Sequence, residues 1–68
     1  MSELPTAAVD RIIRKSGGQR VSKSAARELA EILEEKGMEI ASDAVEFTEH
    51  AGRKTVWDKD IRLAADKK

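Results

Sequence analysis

The sequence predicts an all-α protein organised around one very long helix, and three observations support this. Apolar residues recur at steps of three and four from residue 22 to about residue 51, a stretch that contains no proline. Glycines flank this stretch, with Gly17-Gly18 before it and Gly52 after it. A shorter helical pattern precedes it and another follows it, so we predict a short, a long and a short helix in that order.

The first helix is predicted over about residues 5–15. Its apolar residues have helical spacing and are Val9, Ile12 and Ile13. Pro5 suits the first turn, where the N–H that proline lacks would have no partner inside the helix. Gly17-Gly18 ends the helix, because glycine adopts the left-handed backbone conformation at little cost.

The second helix is predicted from Ser22, a good N-cap, to about Ala51. Its apolar stripe consists of residues three or four apart: Ala26, Leu29, Ala30, Leu33, Gly37, Ile40, Ala41, Ala44, Phe47 and Ala51. A helix of about 30 residues is roughly 45 Å long, whereas a compact chain of this length is only roughly 28 Å across. The stripe therefore needs cover from outside the chain, and a second copy is the simplest candidate.

Gly37 lies midway along the stripe, and we interpret it as a close helix–helix crossing at the dimer centre, against the alternative of a tolerated weak point.

The third helix is predicted after residues 53–56, ending near Lys67-Lys68. Asp58 and Asp60 fall in its first turn, where the positive end of the helix dipole stabilises carboxylates. A short apolar face is expected from three residues, Ile61, Leu63 and Ala64.

Composition indicates a single domain, residues 1–68, that needs reinforcement. At 68 residues a single core is marginal without a metal, disulfides or oligomerisation. The chain has no cysteine and one histidine, His50, which excludes disulfides and a zinc site built from three or four protein ligands. Oligomerisation is the remaining means of stabilisation.

The residues do not predict an enzyme, a cofactor or a small-molecule substrate. His50 is accompanied by no nucleophile or second base, so an interface hydrogen bond is its preferred interpretation. Apolar runs fall short of the roughly 20 residues that span a bilayer, and the acidic N-terminus does not fit a signal peptide. We therefore expect a cytoplasmic protein with no membrane partner.

Charge is balanced overall but segregated along the chain. Residues 1–27 carry six basic and two acidic side chains, a net charge of +4. Residues 28–49 carry eight acidic side chains and one basic, a net charge of −7, and residues 50–68 return to +3. Binding depends on the local patch rather than on the sum, so the two basic segments are candidates for contacting nucleic acid.

Local motifs resemble those of the archaeal histone family along nearly the whole chain. They are ELP at 3–5, RII at 11–13, RVS at 20–22, LEE at 33–35, EIAS at 39–42, HAGRKT at 50–55 and DI at 60–61. The spacing of Arg53, Thr55 and Asp60 is more specific than any helix pattern. The resemblance implies the histone fold and a head-to-tail handshake dimer, in which two long helices cross.

The resemblance also implies nonspecific binding and compaction of double-stranded DNA at the nucleoid, with dimers assembling into tetramers or longer stacks. It implies these DNA-binding residues: Arg11, Arg14, Lys15, Arg20, Lys54 and Thr55. Arg20 would enter the minor groove, where an arginine senses groove width more than sequence. Lys54 and Thr55 lie in the second loop, which would pair with the partner's first loop to form a DNA-contacting edge.

Three further sets of contacts are implied by the resemblance. Arg53 and Asp60 match a buried salt bridge that shapes the second loop without touching DNA. Residues matching the contact between dimers are Phe47, His50, Asp60 and Leu63. Residues matching the contacts between stacked turns are Gly17 and the pairs Glu31 with Arg62 and Lys15 with Glu49. A third matching pair, Glu35 with Asp66, has like charges, so the charged pairs do not decide whether dimers stack.

Several residues depart from the family pattern and predict weaker DNA binding. Asp10 replaces a glycine, Trp57 stands where a lysine is common, and Glu46 and Glu49 occupy positions that are often basic. Trp57 would either pack between neighbouring dimers or cover the start of the third helix.

The alternative function is a histone-fold dimerisation module acting mainly through protein partners, and a heterodimer with another histone is an open alternative to the homodimer.

Overall fold

The computed structural model of the protein describes residues 3–67. Within them the chain forms three α-helices and no strand: α1 Thr6–Lys15, α2 Lys23–His50 and α3 Asp58–Asp66. The all-α prediction and the order short, long, short are confirmed. Two loops join the helices, the first loop over residues 16–22 and the second loop over residues 51–57. The predicted end of the third helix at Lys68 lies outside the described residues.

The helix ends form where the sequence predicts them, with small shifts. Pro5 is the N-cap of α1 rather than its first helical residue. Ser22 caps α2 as predicted, because its Oγ accepts a hydrogen bond of 3.0 Å from the backbone N–H of Ala25. No described helix combines the length and the apolar character needed to cross a membrane.

α1 ends in a Schellman motif that depends on two glycines. Gly17 has a φ of 112°, and its N–H donates to the carbonyl of Arg14 at 3.0 Å. The N–H of Gly18 donates to the carbonyl of Ile13 at 3.1 Å, which completes the motif. A Cβ at Gly18 would lie 3.0 Å from the Ile13 side chain, so the turn also needs a small residue there.

α2 ends in the same way and leads directly into the second loop. Gly52 has a φ of 74°, and its N–H donates to the carbonyl of Glu49 at 2.9 Å. The N–H of Arg53 donates to the carbonyl of Thr48 at 3.0 Å. Arg53 therefore has a fixed backbone position at the start of the loop.

The chain divides into two compact units that meet in the sequence between Glu35 and Lys36. The first unit contains α1 and the first part of α2, and its buried apolar residues are Val9, Ala26 and Ala30. The second unit contains the rest of α2 and α3. Its buried residues are Ala44, Thr48, Asp60 and Ala64.

The buried residues are small throughout the described chain. One valine and four alanines are the only buried apolar residues among residues 3–67. Several large apolar side chains are more than a third exposed, and these include Ile12, Ile32, Leu33, Met38, Val45, Val56, Ile61 and Leu63. No leucine, isoleucine, methionine or phenylalanine side chain among residues 3–67 is fully buried, although these are the groups whose burial contributes most to folding.

The predicted apolar face of the third helix is only partly buried. Ala64 is buried, but Ile61 is 41% and Leu63 is 56% exposed. Successive residues of a helix are about 100° apart around its axis, so Leu63 and Ala64 cannot occupy the same narrow face. Within the second unit, α3 buries Asp60 and Ala64 instead.

Candidate nucleic-acid interface

The second loop is organised by a two-point ion pair between Arg53 and Asp60. Nη2 of Arg53 donates to Oδ1 of Asp60 at 2.9 Å, and Nη1 donates to Oδ2 at 3.0 Å. The side chains are 19% and 5% exposed, respectively, so the pair is largely withdrawn from water. A bidentate guanidinium–carboxylate pair fixes orientation as well as distance, and this one joins the start of the loop to the first turn of α3.

Two further donors form hydrogen bonds with the Asp60 carboxylate. The hydroxyl of Thr48 lies 2.8 Å from Oδ2, and the backbone N–H of Trp57 donates to the same oxygen at 2.9 Å. The hydrogen bond from Arg53 is the largest cause that holds the pKa of Asp60 well below its usual range, followed by the hydrogen bond from Trp57. Asp60 is therefore ionised whenever the protein is folded near neutral pH.

The same guanidinium also holds the middle of the loop. Nη1 of Arg53 donates to the carbonyl of Thr55 at 3.0 Å, and Cζ lies 3.9 Å from the centroid of the Trp57 ring. The hydrogen bond with Asp60 raises the pKa of Arg53 above its ordinary value. Arg53 is thus committed to contacts inside the chain and shapes the loop rather than presenting its charge to a ligand.

Lys54 and Thr55 are two exposed polar residues of this shaped loop. Both side chains are exposed, and Lys54 has no ion-pair partner among residues 3–67. Since Arg53 fixes the backbone on either side of Lys54, the loop presents a cation and a hydroxyl from a defined backbone position. Cations and hydroxyls of this kind are typical phosphate contacts.

The first unit holds the remaining predicted DNA contacts, and they differ in how much of their charge is available. Arg11, Lys15 and Arg20 are exposed and have no ion-pair partner within the described part of the chain. Arg14, in contrast, forms an ion pair with Asp10 at 3.0 Å and donates to the carbonyl of Gln19 at 3.2 Å. Asp10 therefore offsets part of the charge that α1 would offer to a phosphate.

The residues predicted to join dimers are unequally exposed. His50 and Leu63 are exposed, and Phe47 is half-buried. Asp60 is 4% exposed and is bonded to four donors of its own chain, so little of it is left for a second dimer. Its role in a dimer–dimer contact stays a prediction.

The predicted stacking residues all lie on the surface. Four of them are charged and exposed without an ion-pair partner among the described residues: Lys15, Glu31, Glu49 and Arg62. Gly17 is exposed, and a Cβ added there would meet no atom within 4 Å. Across residues 3–67 no three histidine, aspartate or glutamate side chains converge to hold a metal ion.

Two contacts that hold the second loop, one made by Thr48 and one by Trp57, were not predicted from the sequence. Thr48 is 2% exposed and joins α2 to Asp60. The only hint of this contact in the sequence is that a polar residue follows Ala44 by one helical turn on the apolar side of α2. Trp57 stacks on Arg53 and also has the ammonium of Lys59 4.9 Å from its ring centroid. Trp57 lies beside the first turn of α3 and is 43% exposed, so its packing against a neighbouring dimer stays a prediction.

Comparison with known proteins gives consistent matches along the chain. Residues 2–65 match the family model described as histone-like transcription factor (CBF/NF-Y) and archaeal histone. The chain is 58% identical over 64 residues to a subunit of the archaeal histone HAN1 from Thermococcus zilligii, an alignment that covers 94% of this chain and 96% of that protein. It is 48% identical over 64 residues to probable archaeal histone 3 of Methanocaldococcus jannaschii, with the same coverage of 94% and 96%.

Proposed function

The chain belongs to the family of histone-like transcription factors and archaeal histones, and from this premise we propose that it binds and compacts double-stranded DNA without reading its sequence. The geometry of the second loop is the observation that supports this proposal most directly. Arg53 is fully engaged with Asp60, Thr55 and Trp57, and it thereby fixes the exposed Lys54 and Thr55. Fixed cations and hydroxyls suit a phosphate backbone, which has the same chemistry at every sequence.

The active form in this proposal is a handshake homodimer. Its support is the size of the buried residues, since a valine and four alanines are the buried apolar residues of the described chain. The exposed isoleucine, leucine and methionine side chains along α2 would be covered by the α2 of a second copy. One relative is named as one subunit of a histone, so a heterodimer with another histone is the alternative form.

Dimerisation would also assemble the DNA-binding edge. An open groove of about 460 Å³ lies along the end of α2 and the second loop, and Val45, Gly52 and Val56 are among its lining residues. We propose that the first loop of the partner lies against this groove. Arg20 of one protomer would then stand beside Lys54 and Thr55 of the other, and the basic segments of both chains would form one rim.

Larger assemblies follow from the same surface in this proposal. The opposite charges of Glu31 and Arg62, and of Lys15 and Glu49, favour contact between successive turns of a stack, whereas the like charges of Glu35 and Asp66 oppose it. Each such surface pair contributes under about 1 kcal/mol, so assembly would depend on DNA holding the dimers side by side. The place of action would be the chromosome, with the protein associated with the nucleoid.

The proposal is tested by titrating duplexes of unrelated sequence with the protein. Affinities should agree between sequences, fall steeply with salt, and drop for all duplexes in the Arg20→Ala variant. Binding confined to one sequence, or binding that survives high salt, would contradict the proposal. Absence of binding at low salt together with a stable heterodimer would instead indicate a module that acts through protein partners.

Nuclease digestion on long duplex DNA then measures the assembly. A regular ladder of protected lengths would indicate extensible stacks, and a single protected length would indicate a closed particle. Reversing the charge of Arg62 to glutamate should shorten the ladder, because residue 62 would then face Glu31 with like charge. The control is Lys36→Glu, which changes net charge by a similar amount at a residue outside the proposed stacking pairs.

A further inference from the structure

Lys59 is an exposed cation that contacts an aromatic ring. Its ammonium nitrogen lies 4.9 Å from the centroid of the Trp57 ring. Within the described residues no carboxylate lies within ion-pair distance of this ammonium. A ring orients a cation through its quadrupole without cancelling the charge, whereas a carboxylate partner cancels it, as Asp10 does for Arg14 at 3.0 Å.

The loop geometry ties the segment that carries Lys54 to the segment that carries Lys59. Nη1 of Arg53 lies 3.0 Å from the carbonyl oxygen of Thr55 and 3.0 Å from Oδ2 of Asp60. One nitrogen atom therefore joins the residue that follows Lys54 to the residue that follows Lys59. Lys54 and Lys59 therefore stand on two segments that Arg53 holds together.

The remaining charges of this segment favour an anion. Asp60 is buried and neutralised by Arg53, so it does not oppose an anion at the surface. Asp58 is the one exposed carboxylate over residues 53–60, and its Oδ1 accepts from the backbone N–H of Lys59 at 2.9 Å. The same segment carries two exposed ammonium groups, those of Lys54 and Lys59.

We propose that Lys59 is an additional contact for a DNA phosphate and that Trp57 is the positioning residue that directs its ammonium group. This inference rests on the proposed DNA-binding function and extends it to a residue outside the predicted set. Arg53 prepares the arrangement, because it contacts the ring of Trp57 at 3.9 Å and holds the loop on which the ring stands. The phosphate replaces the solvent on the exposed side of the ammonium.

The test compares the salt dependence of duplex binding by four charge or ring variants of the full chain. Lys59→Gln removes the proposed contact, and Lys54→Gln is the benchmark for a contact in the same loop. Lys36→Gln is the matched control, since Lys36 lies within α2 and faces Glu39 at 3.9 Å. Trp57→Leu removes the ring and keeps Lys59. Circular dichroism and sedimentation verify that each variant is folded and associated like the wild type.

The expected result is a weaker salt dependence when residue 59 is uncharged. The slope of log K against log salt should fall by about 0.9 for each phosphate that Lys59→Gln no longer neutralises. Lys54→Gln should show a similar fall, and Lys36→Gln should keep the wild-type slope. Trp57→Leu should bind more weakly but keep the slope, because the ammonium still reaches the phosphate without being directed to it.

Trp57 is the single tryptophan of the chain and supplies a second readout. Its emission should change when DNA draws the Lys59 ammonium toward a phosphate, and this change should be reduced in Lys59→Gln. A wild-type slope in Lys59→Gln, beside a reduced slope in Lys54→Gln, would overturn this inference and leave the proposed function standing. No duplex binding by the wild-type protein would overturn both.

Discussion

Arg53 and Asp60 face each other in a bidentate ion pair, with N–O distances of 2.9 and 3.0 Å, across the loop that joins α2 to α3. The same carboxylate accepts from a helix hydroxyl and from a backbone N–H, and the same guanidinium stacks on an indole ring. A single pair of charges thus determines the path of the loop.

Stability should depend on pH through Asp60. The pKa of this carboxyl is lowered in the folded protein, chiefly by the hydrogen bond from Arg53, whereas the unfolded carboxyl has an ordinary pKa near ~3.9. The unfolded state therefore takes up its proton first as the pH falls. The stabilisation is complete above about pH 5 and is lost progressively as the pH falls toward the folded pKa.

Asp60→Asn isolates this contribution, because asparagine cannot be protonated in this range. The difference in unfolding midpoint between wild type and variant should be largest near neutral pH and should shrink below about pH 4. Thermal unfolding followed by circular dichroism at several pH values measures it. A difference that stays constant from neutral pH to about pH 3 would contradict the assigned role of the pair.

Thr48→Val should destabilise the protein by about 1–3 kcal/mol, the cost of removing one donor to a buried charged acceptor. Valine has the shape of threonine, so the change removes the hydroxyl and keeps the volume. Thr48→Ser is the control, because it keeps the donor to Asp60 and loses only a methyl group. Chemical denaturation should rank serine above valine, and the reverse order would show that packing matters more than the hydrogen bond.

Gly37→Ala separates the two interpretations of the glycine in α2. A Cβ at this residue meets no atom within 4 Å of its own chain, so helix propensity alone would stabilise the protein by about 1 kcal/mol. If two long helices cross closely here, the added methyl groups collide, and overpacking of this kind costs about 1–3 kcal/mol. We expect the second outcome.

Sedimentation equilibrium provides the measurement for this residue. The dissociation constant of the Gly37→Ala dimer should rise about tenfold or more. Ser42→Ala, at an exposed residue of the same helix, serves as the propensity control and should leave association unchanged. A tighter Gly37→Ala dimer would place the crossing elsewhere.

Asp10→Asn should strengthen DNA binding. The ion pair between Asp10 and Arg14 is exposed on both sides, so its loss should change stability by less than about 1 kcal/mol. The freed guanidinium becomes available to DNA, and each additional phosphate that it neutralises should steepen the salt slope by about 0.9. Fluorescence anisotropy with a labelled duplex tests this, and an unchanged slope would show that Arg14 does not reach DNA.

Local signals were enough to predict the helices and their ends. Ser22 caps α2 through a bond to Ala25, three residues away, and Gly52 adopts the positive φ that its position after the helix requires. The buried residues Val9, Ala26 and Ala44 all fall on the predicted apolar positions. Each of these features depends on neighbours within about one helical turn, where periodicity and turn chemistry are informative.

Features that depend on the path of a loop were not predictable from periodicity. In the sequence Thr48 looks like an interruption of an apolar stripe. Its partner Asp60 lies twelve residues later, and only the path of the loop brings the two side chains together. The stacking of Trp57 on Arg53 likewise follows from the turn and not from spacing. Leu63 belongs to the predicted apolar face of α3 but is 56% exposed, because it lies about 100° around the helix axis from the buried Ala64.

The buried valine and alanines described above have a consequence for how the protein responds to its own concentration. Side chains this small release little water on folding, so in the proposed dimer association would supply most of the stability of the chain. The melting temperature should therefore rise with protein concentration, and folding and pairing should occur as one transition. A duplex that binds the paired form would shift this equilibrium further by mass action, so that DNA would act as a folding ligand.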